Sequence, residues 1–289
     1  MTELDTHSIE VKYNLSGTPS LNVKLLTTSE NKTIPSYSIL SYNKELLSYH
    51  KDKMLMYRSV VFSHPELKLL SFSPPKMEEP KAFFSKEVSE DKPSYYVNEY
   101  IDGLLIHLFY DERYQQWQMT THNSFITPYD GTRQHCLSNI ICNILKYNSC
   151  KDVSKLPFWE GFSKECCYNF TLTNKYSHTN KDKRLYLTSV YKINNNHIVS
   201  VNPDIYERWN MFDALRGIIY FPKNYSRLFE ETSYIQDDIR SLNLSGLVIM
   251  DTNNGNRCKN NSVIGTLYSK ALLPILVTVL PITIGPVKA

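Results

Sequence analysis

The side chains that could do chemistry are easy to name and do not fall into a metal or nucleophile signature. The six cysteines, Cys136, Cys142, Cys150, Cys166, Cys167 and Cys258, contain no C-x-x-C pair, and His135 and His178 add no metal-ligand spacing. Cys136 and Cys142 fall on an apolar helical pattern, where a free thiol behaves as a small core residue, so the cysteines are expected to be reduced and structural. Nine glycines are few for architectures built on Gly-rich phosphate loops. The 21 tyrosines, in contrast, favour strands and supply flat amphipathic faces on which bases could stack. The net charge of +3 is small for a dedicated nucleic-acid module, and the Lys and Arg residues are scattered among acidic ones, as on an ordinary solvated surface.

The elements that must position these groups read as strands punctuated by helices. With 289 residues, 42% of them hydrophobic and 21% charged, the chain has room for one large domain or two small ones with a sizeable core. Residues 36–41 and 57–62 run in strand fashion, and Asn43-Lys44-Glu45-Leu46-Leu47 begins like a capped helical turn. Ser73-Pro74-Pro75-Lys76 closes this region, and residues 77–92 form a charge-rich surface helix or loop. Two apolar runs, Tyr95-Tyr96-Val97-Asn98-Glu99-Tyr100-Ile101 and Leu104-Leu105-Ile106-His107-Leu108-Phe109-Tyr110, flank Asp102-Gly103 and predict a hairpin, with Trp117-Gln118-Met119-Thr120-Thr121 as the third strand of a meander.

Leu137, Ile140, Ile141, Ile144 and Leu145 then predict an amphipathic helix over 131–148, with Thr132 available as its cap. Further strands are expected at 167–172, 185–193 and 247–251, which makes the chain α+β rather than doubly wound. The first ten residues are polar and acidic and lack a signal-peptide pattern, so the expected location is cytoplasmic. Residues 271–284 carry no charge but include Pro274 and Pro281. As a helix they would reach about 21 Å, short of a hydrocarbon core of about 30 Å, so a packed apolar segment is expected and membrane contact is not.

Five stretches in order resemble the motifs of the covalent nucleotidyltransferases, in particular the phage-type RNA ligases. Asn98-Glu99-Tyr100-Ile101-Asp102-Gly103 is similar to motif I, K-x-D-G. Trp117-Gln118-Met119-Thr120-Thr121-His122-Asn123-Ser124 resembles the Trp-containing strand and T-R-G-S element, with His122 in place of the arginine. Tyr168-Asn169-Phe170-Thr171-Leu172 looks like motif III, Ser245-Gly246-Leu247-Val248-Ile249 like motif IV, and Asn256-Arg257-Cys258-Lys259 like motif V. The likeness runs from about residue 57 to 259 and is nearest to RNA-ligase-like proteins of large DNA viruses. It implies a nucleotidyltransferase (adenylation) domain of antiparallel sheets flanked by helices over residues 1–260, with 261–289 a divergent apolar tail.

The resemblance also implies that catalysis is lost. In the family, the motif I lysine attacks the α-phosphate of ATP, and carboxylates of motifs III and IV contact the ribose and help place magnesium. Here Tyr100, Thr171 and Ser245 stand at those positions. A phenol with a pKa of about 10 is mostly protonated at neutral pH, and Thr or Ser supplies no charge for a magnesium site. What the likeness leaves for binding is Asp102 and Gly103 at the turn, Arg257 and Lys259 where family members grip phosphates, and Lys76 and Arg58 as further cations. The expectation is a catalytically degenerate protein that binds a nucleotide, an RNA end or a protein partner. ATP and Mg are its cofactors only if activity or binding is retained. Two alternatives stay open. One is an active ATP-dependent ligase with another nucleophile, Lys86 and Lys92 being the nearest upstream lysines. The other is a viral structural or interaction protein on the same scaffold, in the host cytoplasm or virion. Oligomeric state is not legible.

Overall fold

The computed structural model describes residues 2–3, 21–26, 36–42, 57–85, 95–126, 137–148, 150–173, 183–194, 197–227, 245–252 and 255–260. The expected helical turn at 43–47, Lys86, Lys92, Thr132, His135, Cys136, His178 and the tail 261–289 lie outside the described residues. The chain divides into two compact units, a larger one of Met1–Lys76 with Ile101–Pro222 and a smaller one of Met77–Tyr100 with Lys223–Ala289. In chain order the strands are β1 (Thr2–Glu3), β2 (Leu21–Leu26), β3 (Tyr37–Tyr42), β4 (Val60–Ser63), β5 (Leu69–Phe72), β6 (Tyr95–Glu99) and β7 (Gly103–Asp111). They continue with β8 (Gln116–Thr121), β9 (Cys166–Thr173), β10 (Leu185–Asn194), β11 (His197–Ser200), β12 (Ile219–Tyr220), β13 (Leu247–Asp251) and β14 (Arg257–Asn260). The helices are α1 (Pro80–Phe84), α2 (Leu137–Ile144) and α3 (Pro203–Tyr206).

The larger unit holds a seven-stranded sheet, ordered β1-β11-β10-β9-β7-β8 with β12 beside β10, and a four-stranded antiparallel sheet, β2-β3-β4-β5. Strand β9 lies in the middle and all eight of its residues are buried, so both of its faces need partners. Tyr168, Phe170 and Leu172 point to the side that carries α2, Trp159 and Phe162. Cys167 on the other face joins a core with Phe62, Leu69 and Phe72 of the four-stranded sheet. Each such aromatic or aliphatic side chain contributes about 1.5–3 kcal/mol when fully buried, which makes this double-sided strand the anchor of the unit.

Helix α2 forms where the 3.6-residue spacing predicts it, burying Ile140, Ile141 and, just beyond, Leu145. It stops because Lys146 takes φ +64°. The Lys146 and Tyr147 N–H groups then return to the Asn143 and Cys142 carbonyls at 3.1 and 2.8 Å. That pattern satisfies the last carbonyls without a glycine. At the β7–β8 turn, Arg113 grips the buried Asp111 carboxylate through Nη2 at 2.8 Å and also reaches Glu66 at 3.0 Å, tying this turn to the one between β4 and β5.

In the smaller unit β14, β13 and β6 make an antiparallel sheet in that order. Its apolar core comprises Phe83 of α1 with Val97, Tyr225, Leu247, Ile249 and Cys258. Within the stretch expected as a surface helix or loop, residues 80–84 form a short helix that buries Phe83.

One expectation is overturned. The two runs around Asp102-Gly103 are strands, but they are not a hairpin: β6 pairs with β13, and β7 pairs with β8 and β9. Gly103 faces Thr173 across the ladder, and a Cβ there would lie 2.2 Å from the Leu172 carbonyl oxygen. The glycine therefore serves a close approach of two backbones rather than a turn with positive φ. An Asp-Gly dipeptide between apolar runs cannot distinguish these uses, because strand partners are chosen by long-range burial. The β7–β8 half of the expected meander is present. Among the described residues no helix is long and apolar enough to cross a membrane.

Candidate functional site

The three-stranded sheet has two unlike faces because side chains alternate along each strand. Cys258 stands opposite Ile249, and Ile249 opposite Val97, all on the packed face. The intervening positions put Arg257 opposite Met250 and Lys259 opposite Val248, with Tyr96 and Asn98 next in the same rows on β6. Apart from Tyr96, which is buried, these residues are half-buried. No strand position on this face carries a carboxylate.

Tyr100 follows β6 directly. Its N–H donates to the Gly246 carbonyl at 2.9 Å, which fixes the backbone beside the start of β13. Gly246 has φ +142°, a conformation that suits glycine, and the exposed Ser245 precedes it. The Lys259 ammonium sits over the Tyr100 ring, 3.4 Å from its centroid. At that distance the ring's negative face attracts the cation. Three of the five motif-like stretches thus converge here: Tyr100 from the first, Ser245-Gly246 from the fourth, and Arg257 and Lys259 from the fifth.

The remaining candidates belong to the larger unit. Asp102 is exposed, and Gly103 opens β7 beside Thr171, whose Cγ2 lies 2.9 Å from where a Gly103 Cβ would be. Thr171 is buried on β9, paired with Leu105 and Tyr186. Lys76 Nζ lies 5.5 Å from the centroid of the Tyr42 ring. Arg58 is half-buried and close enough to His107 to oppose its protonation.

Sequence reading missed a polar row across the seven-stranded sheet. Thr120, His107, Asn169 and Ser189 stand in register on β8, β7, β9 and β10. Thr120, His107 and Asn169 are fully buried. His107 Nδ1 lies 3.1 Å from Ser71 Oγ, and Asn169 Nδ2 donates to the Phe72 carbonyl at 2.9 Å. Burial, reinforced by Arg58 and His122, pushes the His107 pKa down to about 3, so the imidazole is neutral. Beyond the row, Tyr186 packs on Tyr220 with centroids 5.5 Å apart, and the Arg184 guanidinium lies 4.9 Å over Tyr220. At the opposite end of β7 a cavity of about 380 Å³ includes Lys68, Lys164, Lys192 and Arg113 in its lining. Lys68 and Lys192 are paired to Glu112 and Glu165 at 2.7 and 2.8 Å, so much of its charge is internally neutralised.

Among the described residues the donor set on this face does not fit a magnesium ion. Such a site wants carboxylate oxygens, whereas the Tyr100 face offers two cations, an amide and phenols. Among the described residues no cluster of three or more His, Cys, Asp or Glu could hold a metal ion. The same cations do fit the phosphates of an anionic ligand.

No family model matches the chain, and no curated protein matches it. Solved structures do. An archaeal ATP-dependent RNA ligase (form 2) matches with a TM-score of 0.51 and 13% identity, over 90% of this chain and 62% of that one. A second form of an archaeal ATP-dependent RNA ligase matches at 0.48 and 12%, over 89% and 61%. A putative ATP-dependent DNA ligase from Aquifex aeolicus matches at 0.48 and 12%, over 96% and 68%. The chain therefore spans about six-tenths of the length of the two RNA ligases. At this identity the likeness is one of fold: among the described residues the fold is α+β, dominated by antiparallel sheets with few helices, and is similar to that of the archaeal RNA ligase.

Proposed function

We propose that the protein is a catalytically degenerate relative of the ATP-dependent RNA ligases that binds a phosphate-bearing ligand, ATP or an RNA end, on the Tyr100 face of its smaller unit. The observation that carries this reading is the seat of the Lys259 ammonium on the ring of Tyr100, 3.4 Å from the centroid. Tyr100 is the residue that stands where the resemblance places a nucleophilic lysine. Positive charge is kept at that place while the attacking amine of motif I is gone. Arg257, two residues along the same strand face, supplies a second cation. Thr171 and Ser245 stand for the missing carboxylates, and the buried hydroxyl of Thr171 brings no charge. We take residues 1–260 as the ligase-like domain and 261–289 as a separate apolar ending. We also place the protein, on its motif likeness, among those of large DNA viruses, working in the host cytoplasm or virion.

A second reading, an active nucleotidyltransferase, draws on the same geometry, because Lys259 carries an amine to the Tyr100 position. An ammonium is not nucleophilic until it loses a proton. Incubation with radiolabelled ATP and magnesium followed by a denaturing gel separates the two: no label should stay with the protein. A covalent adenylate that survives denaturation would overturn the degenerate reading. Filter binding with ATP and with 5′-phosphorylated RNA tests the site itself. Replacing Arg257 and Lys259 by alanine should weaken binding and lower the salt slope by about one for each phosphate contact removed. If neither ligand is retained on the filter, a protein-interaction role on this scaffold gains instead.

A further inference from the structure

We infer that Tyr100 is a positioning residue: its ring holds the Lys259 ammonium at a fixed point on the three-stranded sheet, ready for a ligand phosphate. This rests on the binding reading above and adds a role for the residue that the loss of catalysis would otherwise leave idle. Both ends of the contact are tied to β13 or to the residue just before it. The Tyr100 N–H is bonded to the Gly246 carbonyl at 2.9 Å, and Lys259 stands opposite Val248 in the β13–β14 ladder. With one backbone fixed by β13 and the other by the residue before it, the ring and the ammonium meet at 3.4 Å. A free lysine has four rotatable bonds to restrain before it can meet a phosphate, and a ring face beneath the ammonium removes part of that cost in advance. Arg257 lies about 7 Å further along the same face, the spacing of alternate residues in a strand. A ligand that meets both cations therefore presents anionic oxygens over that length, as a polyphosphate or two successive backbone phosphates does.

The face of the ring, not the hydroxyl, makes the contact, and that separates positioning from general packing. Tyr100→Phe should bind ATP within about twofold of wild type, whereas Tyr100→Leu, which keeps apolar bulk without a π face, should bind about fivefold more weakly. Lys259→Ala should lose as much, and the Tyr100→Leu/Lys259→Ala pair should be no worse than Lys259→Ala alone, because the two changes remove one interaction. A second readout needs no ligand. After reductive 13C-methylation of the lysines, the Lys259 methyl signal, assigned by its absence in Lys259→Arg, should lie upfield in wild type and Tyr100→Phe and return to the common lysine position in Tyr100→Leu. Parallel titrations with ATP and with 5′-phosphorylated RNA distinguish the two sources of phosphate. Wild-type affinity in Tyr100→Leu, or an unshifted Lys259 signal in wild type, sinks the inference. Failure of the wild-type protein to bind either probe sinks the binding reading beneath it, which is a different result.

Discussion

On the three-stranded sheet, Tyr100, Arg257 and Lys259 share a half-buried face, whereas on the seven-stranded sheet Thr120, His107 and Asn169 stand in a row from which solvent is excluded. The first face keeps full charges. The second keeps only neutral groups, and the one that could ionise is held neutral, its pKa pushed down to about 3 by burial and by the Arg58 charge. The same penalty pushes the neighbouring Cys167 thiol up to about 12. The contrast follows from solvation: a charge left partly in water costs little and can be transferred to a ligand, while a charge inside a sandwich must be neutralised or paired. The half-buried face of the smaller unit can therefore keep its charges, and the buried row acts in the architecture of the larger unit.

The comparison can be broken from its rigid side first. Gly103→Ala should destabilise the protein by about 3 kcal/mol in urea unfolding, because its Cβ would fall 2.2 Å from the Leu172 carbonyl oxygen and backbone cannot yield as a side chain can. Unchanged stability would show that the glycine is a turn residue after all.

Next comes the titration of His107. Its folded pKa lies below the ordinary value of 6.5, so its contribution to stability is fully present above pH 6.5 and is lost as pH falls from 6.5 toward 3. His107→Gln should flatten the stability profile in that window by on the order of 2 kcal/mol by pH 4, at about 1.4 kcal/mol per unit of difference, discounted for partial unfolding-state structure. A wild-type profile that already shows no slope there would remove the distinction between the two faces.

The smallest effect is expected on the half-buried face. Lys259→Ala should change unfolding free energy by no more than about 1 kcal/mol, the scale of a partly exposed cation–π contact, while ligand binding falls. A large loss of stability would make Lys259 a structural residue and bring the two faces closer in kind.

The stretches that resemble motifs I, IV and V are local in the sequence, and in the structure Tyr100, Gly246 and Lys259 from them lie together. The buried row was not legible in residue order. His107 and Asn169 sit at alternate positions of otherwise apolar strands, which is also how a solvent-facing residue looks, and only burial on both sides of β7 and β9 shows the difference. Phe83 was hidden in the same way within a charge-rich stretch.

From its own spacing, the chain specified the local events. The period of Leu137, Ile140, Ile141 and Leu145 predicts a helix, and the runs at 95–101, 104–110 and 167–172 predict strands, which form at 95–99, 103–111 and 166–173. What it left open was which strand each would choose. β6 went to β13 and β7 to β9, across separations far longer than the Asp102-Gly103 link between them, and with that choice the glycine became a point of close approach instead of a turn. Strand pairing is decided by the surface it buries over the whole fold, and that sum has no signature in any short stretch of residues.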